Sequence, residues 1–185
     1  MTRPSVYSDA LASSVDVNPS IAYNEKRGRA TIKLAKILPA GSKAKFSVAY
    51  EGKLLSNMTG YYKSGWDRDG KKEYYSLTQF EVVPAVSAYP VTFLIPAQAT
   101  YARRAFPCWD EPLLKATFSV TMISRVNTVN LSNMPAVSEK IYSTGTDSSD
   151  DCLASSLAAL SIGQVNSQWK ITRFQESPPV RVALS

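Results

Sequence analysis

Apolar and polar residues alternate with a period of two along much of this chain, and that alternation restricts it to β-strands. Ile32 and Leu34 flank Lys33, and Phe46, Val48 and Tyr50 recur at every second position. Successive strand side chains point to opposite faces, so such runs give a sheet one apolar and one polar side. Pro39-Ala40-Gly41-Ser42 lies between the two runs and supplies turn residues, which predicts a hairpin. A second hairpin is predicted where Tyr61-Tyr62 and Tyr74-Tyr75 flank Asp67-Arg68-Asp69-Gly70, because Asp-Gly takes the positive φ angles of a tight turn. Phe118, Val120 and Met122, then Val129 and Leu131, continue the alternation. Only residues 151–162 read as a short helix, capped by aspartates, with Leu153, Leu157 and Leu160 at helical spacing and Gly163 to end it. The expected class is all-β.

A chain of 185 residues can bury a core without covalent staples, and 1–185 reads as a single domain. Cys108 and Cys152 make no disulfide framework. No apolar run approaches the roughly 20 residues of a membrane helix, so a soluble, cytoplasmic chain with no membrane partner is expected. Asn57-Met58-Thr59 and Asn130-Leu131-Ser132 match the glycosylation pattern, which carries little weight in that compartment. The net charge is +6. Lys26, Arg27, Arg29, Lys33, Lys36, Lys43 and Lys45 are spread over alternating segments, which favours a solvated face over a nucleic-acid surface.

From Tyr101 to Phe118 the chain reads YARRAFPCWDEPLLKATF. Pro107 and Pro112 stop regular ladders on either side of Cys108 and Trp109. Arg103 or Arg104 can pair with Asp110 or Glu111, and Phe106, Cys108 and Trp109 supply apolar surface beneath, so the run reads as a structural corner. Cys108 is a poor nucleophile candidate, because the chain contains no histidine to act as its base.

ARRAFPCWDEP followed by ATF resembles the N-terminal domain of the zinc aminopeptidases, the family that includes aminopeptidase N and puromycin-sensitive aminopeptidase. LPAGSKAKFSVAYEG (Leu38 to Gly52), MTGYYKS (Met58 to Ser64), YYSLTQFE (Tyr74 to Glu81), VNLSNMP (Val129 to Pro135) and WKITRFQESPP (Trp169 to Pro179) are similar to the same family, in the same order. The resemblance implies a large antiparallel β-sandwich. It also implies a zinc enzyme whose H-E-x-x-H site sits in a separate catalytic domain. With no histidine here, that domain is absent and no metal or catalytic residue is expected in this chain.

What the resemblance does carry over is recognition. In the family, the glutamine of TQFE lines the pocket for the first side chain and the glutamate helps hold the substrate's free α-amine, roles that fall on Gln79 and Glu81. The expected partner is a peptide N-terminus, and the chain alone is expected to be inactive. Two alternatives stand beside this reading. One is a regulatory module docking on the catalytic domain of an intact paralogue. The other is a module binding acidic or sugar ligands through Tyr61, Tyr62, Trp66, Tyr74 and Tyr75.

Three departures from the family pattern are expected to matter. VYSDAL at Val6 to Leu11 resembles a strand from the interior of the domain, and the chain ends shortly after Pro178-Pro179, so both ends read as truncated. The third is an insertion, residues 82–98, which is uncharged and rich in valine and proline. Its removal rejoins TQFEATYARRAFPCWDEP. It runs from a valine, whose codons begin GT, to a glutamine, one of whose codons is CAG, and so reads as a retained intron.

Overall fold

The computed structural model describes residues 4–11, 13–15, 17–80, 101–111, 113–142 and 168–181. They fall into two compact units, Met1–Trp109 and Asp110–Ser185. The short helix expected at 151–162 and the insertion at 82–98 lie outside the described residues. Both units are built from strands, and every pairing between named strands is antiparallel, as expected for an all-β chain. Among the described residues the sheets are two or three strands wide. No helix among the described residues is long and apolar enough to cross a membrane.

The first unit contains β1 (Ser5–Ser8), β2 (Ser13–Val15), β3 (Val17–Asn24), β4 (Arg29–Leu34), β5 (Ala44–Ser47), β6 (Gly60–Arg68) and β7 (Lys71–Gln79). β1 sits between β2 and β5, and the cross-strand partners Val6 and Val15 are both 4% exposed. β3 and β4 form a hairpin closed by a 3-10 turn, Glu25–Arg27. The Asn24 side chain accepts from the Arg27 amide at 3.1 Å, and Gly28 ends the turn in the left-handed region.

The first predicted hairpin does not form. β4 pairs with β3 and β5 pairs with β1, although the turn between them exists, with the Ser42 amide and hydroxyl both donating to the Pro39 carbonyl. Alternation fixes which face a strand buries, and it says nothing about which neighbour completes the ladder. The second hairpin forms as expected. β6 and β7 pair from Gly60↔Gln79 to Arg68↔Lys71 across a two-residue turn, Asp69-Gly70, with φ of 51° and 74°. Both angles are positive, which is the type I′ signature that matches strand twist.

The second unit contains β8 (Lys115–Ala116), β9 (Thr121–Arg125), β10 (Ala136–Tyr142), β11 (Trp169–Phe174) and β12 (Val180–Arg181). β11 is the central strand, flanked by β10 and β9, and carries Ile171 and Phe174, both buried. Being covered on both faces, it also buries polar groups, which need partners. Thr172 donates its hydroxyl to Glu139 at 2.8 Å and accepts from the Asn130 amide at 2.9 Å, while the Lys170 ammonium meets Glu139 at 3.0 Å. Val129 and Leu131, expected in a strand, lie in the connection between β9 and β10 and are 81% and 78% exposed. Asn130 between them points the other way, onto Thr172.

Candidate functional site

The hairpin whose second strand ends at Gln79 is locked at its base to the arginine-rich corner. β6 starts at Gly60, the cross-strand partner of Gln79 at the end of β7. Gly60 has φ of 67° and is buried. A Cβ at this position would lie 2.6 Å from the Cβ of Arg104 and 2.9 Å from its carbonyl carbon. Only a glycine lets the two backbones approach this closely, and its positive φ is also one that other residues rarely adopt.

The corner itself is a 3-10 turn, Ala102–Arg104, followed by amides of Ala105 and Phe106 that both donate to the Ala102 carbonyl. Ala102 is fully buried, which anchors the turn. Its two arginines splay to different elements. Arg104 donates to the Thr59 hydroxyl at 3.2 Å and stacks over Tyr101, 5.2 Å from the ring centroid. Arg103 donates to the Arg27 carbonyl at 3.3 Å, and its Cδ lies 3.3 Å from where a Cβ on Gly28 would stand. One turn therefore ties the β3–β4 hairpin to the base of β6–β7.

Phe80, next after Gln79, meets Phe106 edge to face with ring centroids 5.7 Å apart. Gln79 is half-buried. It is thus held on one side by the Gly60 pairing and on the other by a pinned aromatic. Glu81, the expected amine anchor, and Pro112 lie outside the described residues.

Within the corner, Pro107 and Cys108 are half-buried, and Cys108 is outside any disulfide. Burial raises the pKa of the Tyr50 hydroxyl, and the charge that Cys108 can carry raises it further. Trp109 departs from expectation: it is 69% exposed and does not underlie the corner, a place taken by Phe106 against Phe80. Asp110 is buried and Glu111 exposed at the start of the second unit, where the Glu111 carbonyl accepts from the Leu114 amide.

Sequence reasoning missed Gly60, Thr59, Arg27 and Gly28 as parts of this assembly. The signal for two of them was present in MTGYYKS, whose glycine opens a strand, but a strand-opening glycine has no assigned contact until its neighbour is known. The described residues bring together no group of three histidine, cysteine, aspartate or glutamate side chains, and the chain has no histidine at all. The histidine-based zinc ligand set implied by the resemblance does not fit these residues.

The family described as Peptidase M1 N-terminal domain matches residues 5–92 and 95–151. The chain is 32% identical over 160 residues to Aminopeptidase M1 of Arabidopsis thaliana, covering 86% of this chain and 13% of that protein. It is 31% identical over 171 residues to puromycin-sensitive aminopeptidase of Caenorhabditis elegans, covering 89% and 15%. Against aminopeptidase N of Canis lupus familiaris it is 34% identical over 103 residues, covering 56% and 9%. The chain spans between 9% and 15% of the length of these relatives.

Proposed function

The chain belongs to the Peptidase M1 N-terminal domain family, and from that premise we propose that it is the part of an aminopeptidase that recognises the free N-terminus of a peptide. Gln79 forms one wall of the pocket for the first side chain, and Glu81 accepts the α-ammonium. The observation that supports this reading most is the double fixation of the strand end, Gln79 by its pairing with Gly60 and Phe80 by its contact with Phe106. A pocket wall discriminates between side chains only if it does not yield to them, and a strand end held by both backbone and aromatic contacts meets that need.

The chemistry of bond cleavage belongs to residues other than these. One exposed carboxylate facing an ammonium contributes roughly 0–1 kcal/mol, so the chain by itself binds an amino-terminal ligand weakly and does not hydrolyse it. Titrating the chain with leucinamide and with N-acetyl-leucinamide, while following the side-chain amide resonances of Gln79, tests the reading. Weak shifts with the free amine only are expected, and their loss in Glu81→Gln. Equal shifts with the acetylated compound would sink the amine-selective role, and zinc-dependent release of an aminoacyl chromophore would sink the inactivity.

A further inference from the structure

Among the described residues, Arg104 keeps a charge that no carboxylate balances. The sequence allows either arginine of the corner to pair with Asp110 or Glu111. In the fold Arg104 is exposed and makes no ion pair among the described residues. Its partners are the Thr59 hydroxyl at 3.2 Å and the Tyr101 ring, 5.2 Å to the centroid. Thr59 takes one of several N–H donors that a guanidinium carries. The group therefore keeps donors for a carboxylate, while Tyr101 and Thr59 fix its place.

That place is the strand end that carries Gln79. Gly60 and Gln79 are cross-strand partners, and directly opposed residues of an antiparallel pair send their side chains to one face. The space a Gly60 side chain would take is filled by Arg104, whose Cβ lies 2.6 Å from where a Gly60 Cβ would stand. Arg104 thus occupies the position of a cross-strand neighbour to Gln79. Thr59 directly precedes Gly60 and Phe80 directly follows Gln79, so the Thr59 hydroxyl holds the guanidinium one row further on. That row is level with the residue that separates Gln79 from Glu81.

We infer that Arg104 is a specificity-determining residue, one that favours peptides whose first residue is aspartate or glutamate and disfavours lysine or arginine there. The inference rests on the recognition reading above, in which Gln79 walls the first side-chain pocket and Glu81 accepts the α-ammonium. An acidic first residue presents an ammonium and, a few bonds away, a carboxylate. Glu81 and Arg104 offer one charge complementary to each. A guanidinium meets a carboxylate through a parallel pair of hydrogen bonds and repels a second cation. The group is exposed, so the discrimination is modest, about fivefold at most between a charged side chain and its neutral isostere.

The 185-residue chain, titrated with glutamic acid 1-amide, glutaminamide and lysinamide while the Gln79 side-chain amide resonances are followed, tests the inference. Glutaminamide has the shape of the acidic ligand without its charge. Affinity should fall in the order in which the ligands are named, by about threefold or more between the first two. In Arg104→Gln those two should bind equally, with the affinity for glutaminamide unchanged. Lys72→Gln removes the same charge near the turn end of the hairpin and should keep the preference. Equal affinity for the first two ligands in the unaltered chain overturns the inference and leaves the recognition reading intact. So does a preference that survives Arg104→Gln, or one that Lys72→Gln abolishes equally. Gln79 resonances that respond to none of the ligands overturn the recognition reading, and this inference with it.

Discussion

Gly60 and Arg104 approach so closely that a single methyl on Gly60 would lie 2.6 Å from the Arg104 Cβ. This contact joins β6, the partner of the strand bearing Gln79, to the arginine corner, and it has a stability consequence that can be measured.

Gly60→Ala should destabilise the chain by about 3 kcal/mol, combining roughly 1–2 kcal/mol for an L-residue in the left-handed region with the cost of overpacking a tight contact. Arg104→Ala should not rescue it, because the obstructing atoms are the Cβ and carbonyl carbon that alanine keeps. Urea unfolding of the single and double variants checks both statements.

Gly70→Ala offers the contrast. Its φ is 74°, but nothing lies within 4 Å of an added Cβ, so the dihedral term acts alone. A loss of about 1–2 kcal/mol is expected, smaller than that of Gly60→Ala by the packing contribution. The same denaturant titration reads the difference.

Thr172 is 1% exposed and joins Asn130 to Glu139. Thr172→Val removes both hydrogen bonds and should cost about 1–3 kcal/mol. The pKa of Glu139 is lowered first by the Thr172 hydrogen bond, then by the hydrogen bond and charge of Lys170, with desolvation opposing. A carboxylate depressed in the folded state stabilises above its unfolded pKa, and that contribution is lost as pH falls through the folded value. Unfolding free energy measured on the acid side of about pH 4.3 should therefore fall with pH less steeply in Glu139→Gln than in the unaltered chain.

The Tyr50 hydroxyl, with its pKa raised by burial first and by Cys108 second, should titrate closer to its ordinary value in Cys108→Ser while staying above it. A raised folded-state pKa contributes stability that is complete below the unfolded value of about 10 and is lost as pH climbs through the folded one. Ultraviolet titration of the tyrosines resolves the shift, and an unchanged curve would place the thiol too far away to act.

The β6–β7 hairpin was legible because its information is local. Asp69-Gly70 dictates the turn, and the turn dictates the register out to Gly60↔Gln79. The pairing of β4 and β5 was not legible, since a strand's alternation is equally satisfied by either neighbour and the choice depends on strands elsewhere in the chain. At the site, the importance of ARRAFP was visible in its composition, whereas its contacts were not. Trp109 and Phe106 are both aromatic, and only the path of the backbone decides that Phe106 meets Phe80 while Trp109 faces outward.

By itself the sequence determined that this chain is all-β, that it belongs with the aminopeptidase N-terminal domains, and that it lacks the imidazoles of a histidine-bound zinc site. Those properties follow from residue identity and short-range pattern. Tertiary structure alone decided that Gly60, Thr59 and Arg27 are the anchors of the two arginines. Such anchors come from segments far apart in the chain, and close packing, which fixes their distances, acts between surfaces rather than along a sequence.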